Sequence, residues 1–148
     1  MMKVRDLMTK QVIRIHPEEP VGVAARTMVQ YNIGALPVCG RDGRIYGMLT
    51  DRDLVIRCMA SGRSNSWVKV GDVMTARVVA VGPDMDGALA SGIMGRERVR
   101  RLPVVENGKV CGFLSLADLA SREENVLDAA DALAEITEKI RFEKSLKF

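Results

Sequence analysis

GMLTDRDL (Gly47–Leu54) returns, altered, as GFLSLADL (Gly112–Leu119). Each stretch has a glycine, two apolar residues, a hydroxyl residue, and an aspartate three positions after the hydroxyl. The pairs are Thr50 with Asp53 and Ser115 with Asp118. A hydroxyl followed at the third position by an acid is the pattern of a reciprocal helix N-cap. Its recurrence raises the question of whether the pair caps a helix or holds a ligand.

The recurrence extends outward on both sides. VRDLMT (Val4–Thr9) reappears as VGDVMT (Val70–Thr75), an offset of 66, and the same offset joins Pro17 to Pro83, Met28 to Met94 and Leu36-Pro37-Val38 to Leu102-Pro103-Val104. Past the next turn the offset is 65, carrying Gly47, Thr50 and Asp53 onto Gly112, Ser115 and Asp118. A one-residue slip falls where a loop absorbs it. The reading is of two copies, residues 1–60 and 70–122, joined by a linker at 61–69 and followed by a tail at 123–148. Units of about 60 residues bury little core alone, so the copies are expected to pack on each other.

Each copy reads as β-α-β-β-α after an entry turn of helix bearing Val4, Leu7 and Met8, or Val70, Val73 and Met74. The β-branched runs Val12–Ile15 and Val78–Val81 predict a first strand, stopped by Pro17 and Pro83. Val21, Ala24, Ala25, Met28 and Val29 fall on one helical face; Leu89, Ala90, Ile93 and Met94 do so in the second copy, where Gly87, Gly92 and Gly95 weaken the helix. A hairpin follows, with Asp42-Gly43 or Asn107-Gly108 at its tip, the signature of a type I′ turn. A second helix opens at Thr50, ending near Ser61-Gly62, and its counterpart opens at Ser115. In the tail, Val126, Ala129, Leu133, Ile136 and Ile140 are spaced 3, 4, 3, 4. This is an amphipathic helix that either folds onto its own domain or pairs with a second subunit.

Of the 148 residues, 47% are hydrophobic and 4% aromatic, so the core rests on aliphatic side chains and methionine. No apolar run has the length of a membrane span, and MMKVRDLMTKQ has no signal-peptide stretch; a cytoplasmic location is expected. Cys39, Cys58 and Cys111 show no C-x-x-C spacing. They read as small buried thiols. The single histidine, His16, supports neither a catalytic triad nor a metal cluster, and there is no phosphate-binding glycine loop. No catalytic residue and no metal ligand is assigned.

The order of these motifs, twice over about 120 of the 148 residues, resembles a tandem pair of CBS domains, a Bateman module of the small stand-alone prokaryotic type. The resemblance is carried by the DLMT and DVMT entries, by Asn32-Ile33-Gly34-Ala35-Leu36-Pro37-Val38 and Arg98-Val99-Arg100-Arg101-Leu102-Pro103-Val104, and by the two hydroxyl–aspartate stretches. It implies an α/β (α+β) βαββα fold with pseudo-twofold symmetry, usually as a homodimer of pairs. It further implies a non-catalytic regulatory or energy-sensing role that signals to a partner protein, with an adenosine ligand in clefts between the repeats: AMP, ADP, ATP, S-adenosylmethionine or NAD(H). No cofactor is required. For the first cleft the resemblance selects Val12, Ile13, Ile33, Gly34, Ala35, Pro37, Thr50, Arg52 and Asp53; for the second, Val78, Val79, Val99, Arg100, Arg101, Pro103, Ser115 and Asp118.

The roles follow from chemistry. A hydroxyl at a helix start sits beside free amides that suit a phosphate, and a carboxylate one turn in accepts from a ribose diol. The resemblance implies that the apolar residues hold adenine; read by themselves they are equally core. Charge separates the copies: the first carries Arg52, the second Arg100 and Arg101, while Asp51 places a negative charge where a polyphosphate would be disfavoured. Two other readings stand beside this one. One is a ligand-free homodimeric scaffold acting through the tail. The other is nucleic-acid binding through Arg96–Arg101, which the net charge of +3 and the scarcity of aromatics argue against.

Overall fold

A computed structural model describes residues 2–63, 67–122 and 125–145, with side chains through residue 138. The order is α1 (Val4–Leu7), α2 (Val21–Tyr31), β1 (Ala35–Cys39), β2 (Ile45–Thr50), α3 (Asp51–Asp53), a π-helix (Leu54–Met59), α4 (Val70–Val73), α5 (Gly87–Glu97), β3 (Arg101–Glu106), β4 (Lys109–Ser115), α6 (Leu116–Ala120) and α7 (Val126–Ser145). The fold is mixed, with two antiparallel sheets, β1–β2 and β3–β4. Among the described residues no helix is long and apolar enough to cross a membrane.

Packing does not follow the two copies as written. Unit 1 joins Met1–Val12 to Val79–Glu106 and Cys111–Phe148; unit 2 joins Ile13–Val78 to Asn107–Val110. The entry segments have changed places. Val4 and Leu7 of α1 are buried with Ala90, Met94, Leu102, Val104 and Leu114. Val70 and Val73 of α4 are buried with Ala24, Met28, Leu36, Val38 and Leu49. Each such side chain, taken fully from water, contributes about 1.5–3 kcal/mol.

The exchange explains why the glycine and methionine motifs recur together. In unit 2, Thr75 pairs with Met48 through two backbone bonds of 2.8 and 2.9 Å; in unit 1, Thr9 pairs with Phe113 through two of 2.9 Å. The entry chain passes directly over the motif glycine. A Cβ on Gly47 would lie 2.7 Å from the Thr75 carbonyl oxygen and 2.8 Å from the Met74 sulfur, and one on Gly112 would run into Met8.

The predicted first strand of each copy shrinks to a single parallel bridge, Ile15 to Val38 and Val81 to Val104. Ile15 donates to the Pro37 carbonyl and accepts from the Cys39 amide; Val81 does the same with Pro103 and Val105. Extending the ladder one rung backward needs an N–H at Pro37 or Pro103. Extending it forward needs one at Pro17 or Pro83. None exists, so repeated prolines hold the strand to one rung in both copies.

Other expectations shift for local reasons. Asn107 and Gly108 both have positive φ, 55° and 79°, as a type I′ turn requires, but at the other tip only Gly43 does, at 85°. There the Gly43 amide donates to the Gly40 carbonyl and the register slips between Val38 and Cys39, which is a type I turn followed by a left-handed glycine. In α2, Val21, Ala24 and Met28 are buried while Ala25 is exposed and Val29 is 82% exposed. In α5, Ala90 and Met94 are buried and Leu89 is exposed. The second helix of the first copy is α-helical for three residues and then π-helical, with the Ala60 amide donating to the Val55 carbonyl.

The tail folds onto its own unit, with α7 packed on α5 and α6. Its buried stripe is Asn125, Ala129, Ala132 and Ile136, so Val126 and Leu133 of the predicted stripe lie on its open edge. The side chain of Ile140 lies outside the described residues, as do linker residues 64–66. The α5 glycines leave that helix intact, and Gly95 admits α7: a Cβ there would lie 2.9 Å from the Glu135 carboxylate. Cys39 and Cys58 are buried and Cys111 half-buried.

Candidate functional site

The two hydroxyl–aspartate pairs stand where a hairpin's second strand hands over to a helix. Backbone at Thr50 and Ser115 is extended, φ −111° and −108°, and helical immediately after. In the first pair the Asp53 amide donates to Thr50 Oγ1 at 3.1 Å, and the Thr50 amide donates to Asp53 Oδ2 at 3.0 Å. In the second, the Asp118 amide donates to Ser115 Oγ at 3.0 Å and the Ser115 amide to Asp118 Oδ2 at 2.8 Å. Both are complete capping boxes built with aspartate, whose short side chain suffices here.

The surroundings of the two carboxylates differ. Asp53 is 8% exposed. Besides the Thr50 amide, it accepts from the Thr75 hydroxyl, 3.3 Å from each oxygen, and Arg57 Nε lies 3.7 Å from Oδ1. Arg57 is itself anchored by donating to the Met74 carbonyl at 2.9 Å. Asp118 is half-buried, and among the described residues its carboxylate accepts only from the Ser115 amide. One acceptor oxygen is therefore open to a ligand in the second pair, whereas a ligand at the first competes with Thr75 and Arg57.

A second difference concerns anions. The Asp51 amide donates to the Gly34 carbonyl, the Arg52 amide to Asp51 Oδ1 at 2.8 Å, and the Asp53 amide to Thr50. All three first-turn amides of α3 are occupied, one by the protein's own carboxylate. Asp51 also stands over Gly34, with Oδ2 2.9 Å from where a Cβ would be. The second copy has Leu116 there; its amide donates to the Arg100 carbonyl, and no carboxylate intrudes. With α6 five residues long, little helix dipole is available to an anion at the second pair.

The remaining candidates take the following places. Ile33, Gly34 and Ala35 are half-buried and lead into β1, where Pro37 is buried. Val99 is half-buried, Arg100 and Arg101 are exposed, and Pro103 is buried in β3. Arg52 is exposed. Val12, Ile13, Val78 and Val79 are half-buried, and Ile13 and Val79 pack on the cores of their units. Val12 belongs to unit 1 while the rest of the first set belongs to unit 2, and Val78 is likewise separated from the second set. Thr75 and Arg57 complete the surroundings of Asp53 without having been singled out. The signal for Thr75 was its place at the end of the repeated DVMT motif.

Comparison with known proteins bears on the family and the fold. The family model described as "CBS domain" matches residues 4–59 and 70–125. The CBS domain-containing protein YhcV of Bacillus subtilis is 38% identical over 137 residues, 93% of this chain and 96% of its own. A crystal structure of Hypoxic Response Protein I with two coordinated zinc ions superposes with a TM-score of 0.75 at 34% identity, covering 82% of this chain and 98% of that one. Among the described residues of this chain, no three His, Cys, Asp or Glu side chains gather as a metal site would need. The CBS domain pair of protein MJ0100, in complex with 5′-methylthioadenosine and S-adenosyl-L-methionine, shares the fold at 22% identity with a TM-score of 0.71, covering 81% of this chain and 98% of that one. Motif order, exchanged entry segments and family match converge: the chain belongs to the CBS-domain family, as a tandem pair.

Proposed function

We propose that this CBS pair is a non-catalytic regulatory module that binds adenosine compounds and signals to a partner protein as a homodimer. The observation that carries the reading is the half-buried Asp118 carboxylate, held in place by the Ser115 amide with one oxygen unclaimed among the described residues. A carboxylate so held accepts from vicinal ribose hydroxyls, while Val79, Val99 and the backbone entering β3 offer an apolar wall and amides for adenine. The CBS pair of MJ0100 binds adenosine compounds, which supports the ligand class.

The copies would divide ligands by charge. Arg100 and Arg101 beside Asp118 favour a phosphorylated adenosine such as AMP. At the first pair, Asp51 already fills the anion position, so the unit 2 residues Ile13, Ile33, Gly34, Ala35, Pro37, Thr50, Arg52 and Asp53 suit a neutral or cationic adenosine such as S-adenosylmethionine. Calorimetric titration with AMP, ADP, ATP, S-adenosylmethionine and NADH tests this. AMP binding weakened at least about tenfold by Asp118→Ala and unchanged by Asp53→Ala supports it; absence of binding by every compound overturns it.

A further inference from the structure

In the two copies, equivalent helix faces meet different fates. On α5, Ser91 and Gly95 are buried and α7 lies against the helix. Their counterparts on α2, at the offset of 66, are Ala25 and Val29, and both are exposed. The helix packed beside each repeats the contrast. Unit 1 covers α6 with α7. In unit 2 the π-helix buries Cys58 against the α2 core and leaves Val55, Ile56 and Met59 exposed, Met59 by 72%. Unit 2 thus presents five apolar side chains where unit 1 carries a roof.

The roof helix has apolar surface to spare. Beside its buried stripe, α7 bears a second one of Val126, Ala130, Leu133 and Ala134, open to solvent and bordering a shallow depression with Thr137 and Glu138. A helix with one covered and one bare apolar stripe is suited to pairing on two sides.

Charge selects the occupant. Residues 126–138 contain Asp128, Asp131, Glu135 and Glu138 and no basic residue. In unit 2, α2 carries Arg26, and Arg52 and Arg63 stand at the two ends of the α3–π-helix segment, all exposed, against a single exposed acid on these elements, Asp51, while Arg57 is tied to Asp53. Either face against its own copy would juxtapose like charges, which is costly at an interface. The acidic stripe against the basic-rimmed face satisfies both burial and charge.

We infer that the α2–π-helix face of one molecule receives the open stripe of α7 from a second copy of this chain, an inference resting on the homodimer proposed above. Under a twofold axis the contact is made twice, each copy giving its α7 stripe and receiving the other's, which is an isologous closed dimer.

Sedimentation equilibrium of the full chain, across concentration and at two ionic strengths, tests it, with far-UV circular dichroism confirming the fold of each variant. The expected result is a dimer weakened by salt. It weakens at least about tenfold on Ile56→Glu and equally on Ala130→Glu. It weakens about fivefold for Arg26→Glu with Arg63→Glu, and for Asp131→Lys with Glu138→Lys, and is restored when the two charge pairs are combined. A monomer at all concentrations overturns both the dimer and the contact. A dimer that Ile56→Glu breaks and Ala130→Glu leaves intact overturns the contact alone, showing the unit 2 face paired with itself. A dimer indifferent to both, or charge reversals that do not rescue each other, likewise overturns it.

Discussion

The Thr75 hydroxyl lies 3.3 Å from both carboxylate oxygens of Asp53. Thr9, its counterpart in the repeat, makes no such bond to Asp118 among the described residues. Two motifs nearly identical in sequence are therefore unequal in what they hold: Asp53 is tied into its surroundings and Asp118 keeps an oxygen open.

Stability should report that inequality. Asp53→Ala removes the carboxylate half of its capping box and leaves the Thr75 hydroxyl and Arg57 without their acceptor; a loss of about 2–3 kcal/mol is expected. Asp118→Ala removes only the carboxylate half of its capping box, since the residue 118 amide still donates to Ser115, at about 1 kcal/mol. Urea unfolding of the two variants distinguishes them, and equal losses would contradict the difference.

The crossing of the entry chain over the motif glycine makes a sharp steric prediction. Gly47→Ala drives a methyl against the Thr75 carbonyl at 2.7 Å, where backbone must give way. A destabilisation of about 1–3 kcal/mol is expected, as for other overpacked sites. Gly82→Ala meets nothing within 4 Å, and its thermal midpoint should stay within about 1 °C of the parent's.

Hydrogen exchange tests the proline account of the missing strands. The Ile15 and Val81 amides donate to Pro37 and Pro103 carbonyls, so they should be protected along with those of Cys39 and Val105. Ile13 and Val79 have no such rung and should exchange much faster. Equal protection at 13 and 15 would mean a longer ladder than the prolines allow.

Burial pushes the Cys39 thiol above its ordinary range, and burial followed by the charge of Glu106 does the same at Cys111. Both stay protonated in the folded chain at neutral pH, and Cys39 is buried besides, so its reaction with a disulfide reagent should be slow until the protein unfolds. Because the unfolded thiols ionise first, the stability these groups contribute is whole below the unfolded thiol's pKa of about 8.5 and declines as pH rises through that value toward the folded one. Rapid labelling of Cys39 in native protein at pH 7, or stability rising across that alkaline window, would contradict this placement.

The pattern of repeats made the architecture legible: the glycine–hydroxyl–aspartate stretches marked strand-to-helix corners, and both capping boxes form with the bonds their spacing implies. Periodicity was less informative where partners decide the outcome. Val29 matched the buried stripe of α2 but faces solvent, because among the described residues the helix that covers its counterpart in unit 1 has no equivalent beside it. The exchange of α1 and α4 left no mark in the local sequence, since the two entry segments, VRDLMT and VGDVMT, carry the same apolar pattern. The strand signal of Val12–Ile15 came from β-branched side chains, whereas ladder length was set by amides that Pro17 and Pro37 lack. At the candidate site, the residue types were readable; the occupation of the Arg52 amide by Asp51 required coordinates.

The most direct test of the account is a calorimetric comparison of AMP with its 2′,3′-dideoxy analogue, which keeps adenine and phosphate and lacks the ribose diol. If Asp118 accepts from that diol, the analogue should bind at least about tenfold more weakly, and Asp118→Ala should bind both equally. Equal affinity of the two compounds for the unaltered protein would contradict the account.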